Sequence, residues 1–188
     1  MTTAVVWSSP NRNGLTASAK ERIISGIQNY GSEVDEIHLN ALRVKLCQAC
    51  GNGWGTCRAN GSCILSDDFA DIYERLVRAD GIVFVTAVYW HDMTEFLKAL
   101  LDRLRRCETA HNGFLRGKRC LITACAGGTG LGAVECLQNM EQTLGHMGMR
   151  VYDRLAVIRY NKEYMLDTLE KAGEVYARRT AEGFDMQY

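Results

Sequence analysis

This chain of 188 residues has no net charge, no long apolar run and no glycine signature of the familiar nucleotide folds. Each absence removes a class of function. Its 22 basic side chains balance 22 acidic ones, and no basic stretch carries interleaved aromatics, so the electrostatic footprint of a nucleic-acid binder is missing. No segment approaches the roughly 20 apolar residues that span a bilayer. Met1-Thr2-Thr3-Ala4-Val5-Val6-Trp7 lacks both the positive region and the apolar length of a signal peptide. A cytoplasmic protein with no nucleic-acid or membrane partner is expected. No repeat, low-complexity tract or linker divides the chain, and residues 1–188 are expected to form a single domain. Neither Gly-Lys-Ser/Thr nor, in the first turn, Gly-x-Gly-x-x-Gly occurs. A P-loop is thereby excluded and an adenine dinucleotide domain disfavoured.

What is present alternates strand with helix. Thr3 to Trp7 reads as a strand, Ser8 to Gly14 as a loop, and Thr16 as the cap of a helix with Ala19, Ile23, Ile24 and Ile27 on one face. Glu33 to Leu39 reads as a strand near a sheet edge. Ser66 or Asp67 caps a helix with Phe69, Ile72, Tyr73, Leu76 and Val77, and Asp80 to Ala87 is a continuously apolar, doubly buried strand. A helix from Thr94, a strand from Arg119 to Cys125, a helix from Leu131 to Met147, a strand from Met149 to Ile158 and a helix from Lys162 to Glu182 complete the pattern. Five strands joined by helical crossovers predict an α/β fold with a parallel sheet covered on both faces.

In such a sheet, ligands bind beyond the carboxyl ends of the strands. Three loops there are unusual. Ser8-Ser9-Pro10-Asn11-Arg12-Asn13-Gly14-Leu15-Thr16 combines hydroxyls, amides and a cation at a helix N-terminus, where free N–H groups favour phosphate; an ordinary polar turn has the same composition. Ala87-Val88-Tyr89-Trp90-His91 carries aromatics out of a buried strand, suited to walling a flat ligand or a subunit interface. Ala126-Gly127-Gly128-Thr129-Gly130 offers nearly bare backbone for close approach of a ring edge, or a flexible turn.

These three segments resemble those of the NADPH-dependent FMN reductases, which have the flavodoxin-like superfold, and within them the iron-sulfur flavoprotein branch. Ser9, Pro10, Gly14 and Thr16 match that family's phosphate loop, whereas Asn11 stands where arginine is usual and Leu15 where asparagine is usual. Arg12 is the residue placed to compensate. Ala87-Val88-Tyr89-Trp90, followed by Lys98, Asp102 and Arg103, is similar to the family's Pro-Val-Tyr-Trp segment with alanine for proline. Thr123 to Gly128 resembles its third, glycine-rich segment. The resemblance implies a three-layer sandwich with strand order 2-1-3-4-5. It implies FMN held by Ser9, Asn11, Arg12, Asn13, Gly14, Leu15 and Thr16 at the phosphate, by Ala87, Val88, Tyr89, Trp90 and His91 along the ring, and by Ala126, Gly127, Gly128 and Thr129 at its pyrimidine side. It also implies NAD(P)H as electron donor, a small-molecule or protein acceptor, and a homodimer or homotetramer. The alternative is an electron carrier that does not turn over NAD(P)H. Flavin supplies the chemistry, so no catalytic acid–base pair is expected.

Cysteine is the remaining question. Cys47-x2-Cys50-x6-Cys57-x5-Cys63 lies in a glycine-rich loop at 45–66, a set able to bring four thiolates to one centre. The iron-sulfur flavoproteins carry a tighter version, with two residues in the middle gap. A [4Fe-4S] cluster, a zinc ion and free thiols in a flap all stay open. Cys107, Cys120, Cys125 and Cys136 read as buried small hydrophobes. His91 reads as a surface group, Lys98 and Asp102 as a modest helical pair, and His38, His111 and His146 show no ligand spacing.

Overall fold

The computed structural model describes residues 1–110 and 113–183; His111 lies outside them. Strands β1 (Thr2–Ser8), β2 (Glu33–His38), β3 (Gly81–Tyr89), β5 (Arg119–Ala126) and β6 (Arg150–Ile158) form a parallel sheet, and the short β4 (Asp92–Met93) pairs antiparallel with β3. The order is β2-β1-β3-β5-β6, with β4 off this path. Counted over the parallel strands alone it is the expected 2-1-3-4-5; β4 was not anticipated. Helices α1 (Leu15–Asn29) and α6 (Lys162–Ala181) cover one face, and α3 (Phe69–Arg78), α4 (Glu95–Cys107) and α5 (Ala133–His146) the other.

The strands read as unbroken apolar runs because alternate residues enter different cores. In β1, Ala4 and Val6 pack under α3 to α5, and Val5 and Trp7 under α1 and α6; in β3, Ile82 and Phe84 divide from Val83 and Val85 in the same way. Each fully buried side chain of this size contributes about 1.5–3 kcal/mol relative to exposure. The α1–α6 contact needs glycine at two positions. A Cβ on Gly26 would lie 1.9 Å from the Glu170 carbonyl oxygen, and one on Gly173 2.4 Å from that of Ile23. These close approaches bring the N-termini of α1 and α6 side by side at the ligand edge of the sheet.

Four local expectations are corrected. Thr16 does not cap α1: the cap is Gly14, with no side-chain cap hydrogen bond, and Thr16 is the second helical residue. Asp68 occupies the cap position of α3 without a side-chain cap hydrogen bond, and the preceding Asp67 carboxylate both accepts from the Phe69 N–H at 3.3 Å and pairs with Arg103. The aromatic segment is no free loop. β3 runs on to Tyr89 and folds back as a hairpin, since Val88 and Tyr89 find partners in Met93 and Asp92. The cysteine segment also contains a short helix, α2 (Thr56–Asn60).

Candidate functional site

The loop after β1 presents backbone rather than side chains. No side chain caps α1 and no acid stands in its first turn, so the N–H groups of Leu15, Thr16 and Ala17 lack intrahelical partners and face the loop. The first helical bond is Ser18 N–H to the Gly14 carbonyl, 3.0 Å. A Cβ on Gly14 would stand 2.8 Å from Asn11 Nδ2, so a larger residue there would displace the exposed Asn11 side chain. Asn11 shapes the turn by accepting from Asn13 N–H at 3.0 Å. The expected phosphate residues then divide. Asn11, Arg12 and Asn13 are exposed at the tip, Gly14 and Leu15 are half-exposed or at the rim, and Ser9 and Thr16 are buried. The Ser9 hydroxyl is engaged with the Asn11 backbone, and Thr16 is buried beside the Cys125 thiol, which burial pushes up to about 12. The loop is steadied from below, where His38 Nε2 lies 3.0 Å from the Ser9 carbonyl and its ring stacks on Trp7 at 3.7 Å. Ser8 ties the end of β1 to Thr94, the cap of α4, and to Asn40.

The β3–β4 hairpin supplies the second wall. Its two central residues, Trp90 and His91, have φ of +46° and +69°, the left-handed region that tight hairpins demand and that favours glycine. Trp90 is 94% exposed, and His91 Nδ1 lies 3.5 Å from Glu135 Oε1. The third wall is Ala126 to Gly130, where Gly127 and Gly128 face open space. Gly132 locks the two walls together: a Cβ there would stand 2.6 Å from the His91 Cα. Val88, Trp90, His91 and Ala126 through Leu131 line one cleft. Gly127 is shared with a second cleft between α1 and α6, lined also by Asn13, Gly14, Ser18, Arg159 and Lys162. The loops after β1, β3 and β5 are therefore brought together. Ala87 and Tyr89 lie in β3 and do not line these clefts. Arg159 and Lys162 were not foreseen; two cations directly after the last strand were the available signal.

The cysteine segment lies apart from these clefts. Cys47, Cys50, Cys57 and Cys63 line one cavity, joined by Cys107, Arg103 and Arg106. Among the described residues no three His, Cys, Asp or Glu side chains stand ready to hold a metal ion. Left-handed φ at Ala49, Gly51, Asn52 and Gly53 bends the loop after Cys47. Behind it Arg103, 1% exposed, forms a bidentate pair with Asp67 at 2.6 and 2.9 Å and lies over the Phe69 ring. Burial alone would raise the Asp67 carboxyl, but Arg103 and the Lys45 and Phe69 N–H groups outweigh it and hold the carboxyl below the usual range.

The model of the NADPH-dependent FMN reductase family matches residues 1–162. The chain belongs to that family. An iron-sulfur flavoprotein of Methanosarcina thermophila is 32% identical over 124 residues, 64% of this chain and 61% of that protein. One from Archaeoglobus fulgidus (strain ATCC 49558 / DSM 4304 / JCM 9628 / NBRC 100126 / VC-16) is 26% identical over 113 residues, 60% of this chain and 49% of that protein. The chain thus spans about half to three-fifths of the length of these curated relatives. Among solved structures, the NAD(P)H:quinone oxidoreductase from Methanothermobacter marburgensis superposes with a TM-score of 0.70 at 20% identity, covering 94% of this chain and 96% of that one. A flavone reductase does so with 0.76 at 17%, covering 100% and 66%. These two likenesses show the flavodoxin-like fold.

Proposed function

We propose that this family member is an FMN-dependent NAD(P)H oxidoreductase, residues 1–188 forming one FMN-binding unit. The observation that carries the proposal is the junction of three loops at the carboxyl edge of β1, β3 and β5, with uncapped N–H groups in the first, exposed aromatics in the second and bare backbone in the third. The residues suit FMN. The N–H groups of Leu15, Thr16 and Ala17 would receive the phosphate, with Asn11, Arg12 and Asn13 at its outer side and the buried Ser9 and Thr16 holding the loop in shape. Val88, Trp90 and His91 would face the ring from one wall, backed by Ala87 and Tyr89 in β3, and Ala126, Gly127, Gly128 and Thr129 from the other. When bound, FMN supplies hydride acceptance from a nicotinamide nucleotide and onward delivery to a quinone, a small electrophile, oxygen or a protein. The chain's own work is to orient the ring and keep water from its bound face.

The test is an absorption spectrum of the purified protein followed by rapid mixing with NADPH and with NADH. Flavin bands that bleach on a catalytic timescale are expected. A colourless protein that also fails to take up added FMN defeats the assignment. A second reading is an electron carrier that does not turn over NAD(P)H. It draws support from the thiol-lined cavity and from relatives named iron-sulfur flavoproteins. Bound flavin that stays oxidised with both nucleotides selects it.

A further inference from the structure

The cleft between α1 and α6 has a volume of about 550 Å³ and meets the cleft walled by Trp90 and His91 at Gly127. Asn13, Gly14 and Leu15, the end of the loop after β1, form one side of it, and Arg159, Lys162 and Glu163, all exposed, supply its charge. Elsewhere on α6 the cations are paired, Lys171 with Glu174 and both Arg178 and Arg179 with Glu182. No ion pair among the described residues engages Arg159 or Lys162. The turn that presents them is fixed. The Asn161 side chain accepts from the Ile158 N–H at 2.7 Å and donates to the Ala156 carbonyl at 3.0 Å. Ile158 in turn lies against Gly130 of the third loop, where a Cβ would stand 3.1 Å from it. Arg12, at the exposed tip of the loop after β1, lines neither cleft. A phosphate monoester carries a charge of about −1.5 to −2 at neutral pH, and one helix N-terminus offsets it with about +0.5. Most of the charge is left for side chains to balance. Of the residues lining the cleft that the phosphate loop borders, only Arg159 and Lys162 are cations.

We propose that Arg159 and Lys162 read the phosphate of the flavin: they supply its side-chain positive charge from across the cleft and so select FMN over riboflavin. This selection rests on the FMN reading above and names the residues that recognise the phosphate. Glu163, on the first turn of α6 and in the same cleft, works against them by repelling the dianion. Binding here is electrostatic association, with no bond made or broken. Because both cations are exposed, salt weakens their attraction, the Debye length being about 8 Å at physiological ionic strength.

The test uses the full chain freed of flavin, its fold checked by circular dichroism, and follows flavin fluorescence during titration with FMN and, separately, with riboflavin. The double variant Arg159→Gln/Lys162→Gln is expected to bind FMN about tenfold or more weakly than wild type, the loss of one or two charge-assisted contacts, and to bind riboflavin equally well. Glu163→Gln is expected to bind FMN more tightly and riboflavin unchanged. Lys171→Gln makes the same charge change on α6 outside the cleft and should alter neither affinity. Added salt should weaken FMN binding to wild type more steeply than to the double variant. An unchanged FMN affinity in the double variant overturns the proposal. So does an equal loss of both flavins, which would assign the two side chains to the ring or to the fold. A wild type that takes up neither flavin defeats the FMN reading itself, and the selection with it; a wild type that binds FMN with no dependence on salt defeats the selection alone.

Discussion

At the scale of single residues, the Asp67–Arg103 pair is the most consequential contact. Both side chains are almost fully buried, at 0% and 1% exposure, so each would leave an uncompensated charge without the other. Removing one partner of such a pair costs about 3–5 kcal/mol. We expect Asp67→Asn to lower stability by roughly that amount in denaturant titrations at pH 7. The pair also has an acid limb. Asp67 titrates lower in the folded than in the unfolded chain, so the unfolded chain binds the extra proton. The stabilisation is whole above the unfolded carboxyl value of about 3.9 and fades as pH falls through the lower folded value. Wild type should therefore lose more stability than Asp67→Asn between about pH 4 and pH 2. Parallel curves for the two proteins would show that the pair contributes nothing to the acid limb.

At the scale of elements, the hairpin and the β5–α5 turn work as a unit through Gly132. Its φ of +85° disfavours any side chain, and a Cβ would meet backbone at 2.6 Å rather than a side chain able to swing away. Gly132→Ala should push the hairpin off the third loop and weaken FMN binding by about tenfold, the equivalent of roughly 1.4 kcal/mol. Gly145, in α5 with open space beside it, is the matched control, and Gly145→Ala should leave binding unchanged. Flavin fluorescence titration reads both. Equal affinities for the two variants would mean that the walls do not act together. Much of this level was legible beforehand. The three ligand loops follow strands whose apolar runs announce burial on both faces. The hairpin was not, because Tyr89, Trp90 and His91 carry no glycine where a tight left-handed turn is formed. Here the pairing of Val88 with Met93 and Tyr89 with Asp92 overrides local preference.

At the scale of the molecule, bulky apolar side chains gather near the ligand edge: Tyr89, Trp90 and Leu131 beside the first cleft, and Tyr160 and Tyr164 at the start of α6, are all exposed. A single copy rarely leaves so much aromatic surface in water. We expect light scattering at micromolar concentration to return a multiple of the 21.0 kDa chain mass, in keeping with a homodimer or homotetramer. Trp90→Ser should shift the distribution toward the single chain. A wild type that stays at 21.0 kDa would assign this surface to something other than self-association. No helix among the described residues is long and apolar enough to cross a membrane.

By itself, the sequence determined the alternation of elements, the parallel sheet and the three loops at its carboxyl edge, because periodicity and turn residues are local and β1, β3 and β5 bury both faces. Tertiary structure decided where shared residues go. Asp67 reads as a local cap of α3, and its carboxylate does accept from the Phe69 N–H, but its main partner is Arg103, a buried cation 36 positions along the chain. Cys107 has the pattern of an ordinary core cysteine on the apolar stripe of α4, and only the packing of α2 against α4 turns it toward the other thiols. Arg159 and Lys162 reach the second cleft because Gly26 and Gly173 let α1 and α6 approach closely. Such contacts join residues far apart in the chain, and spacing along the sequence carries no record of them.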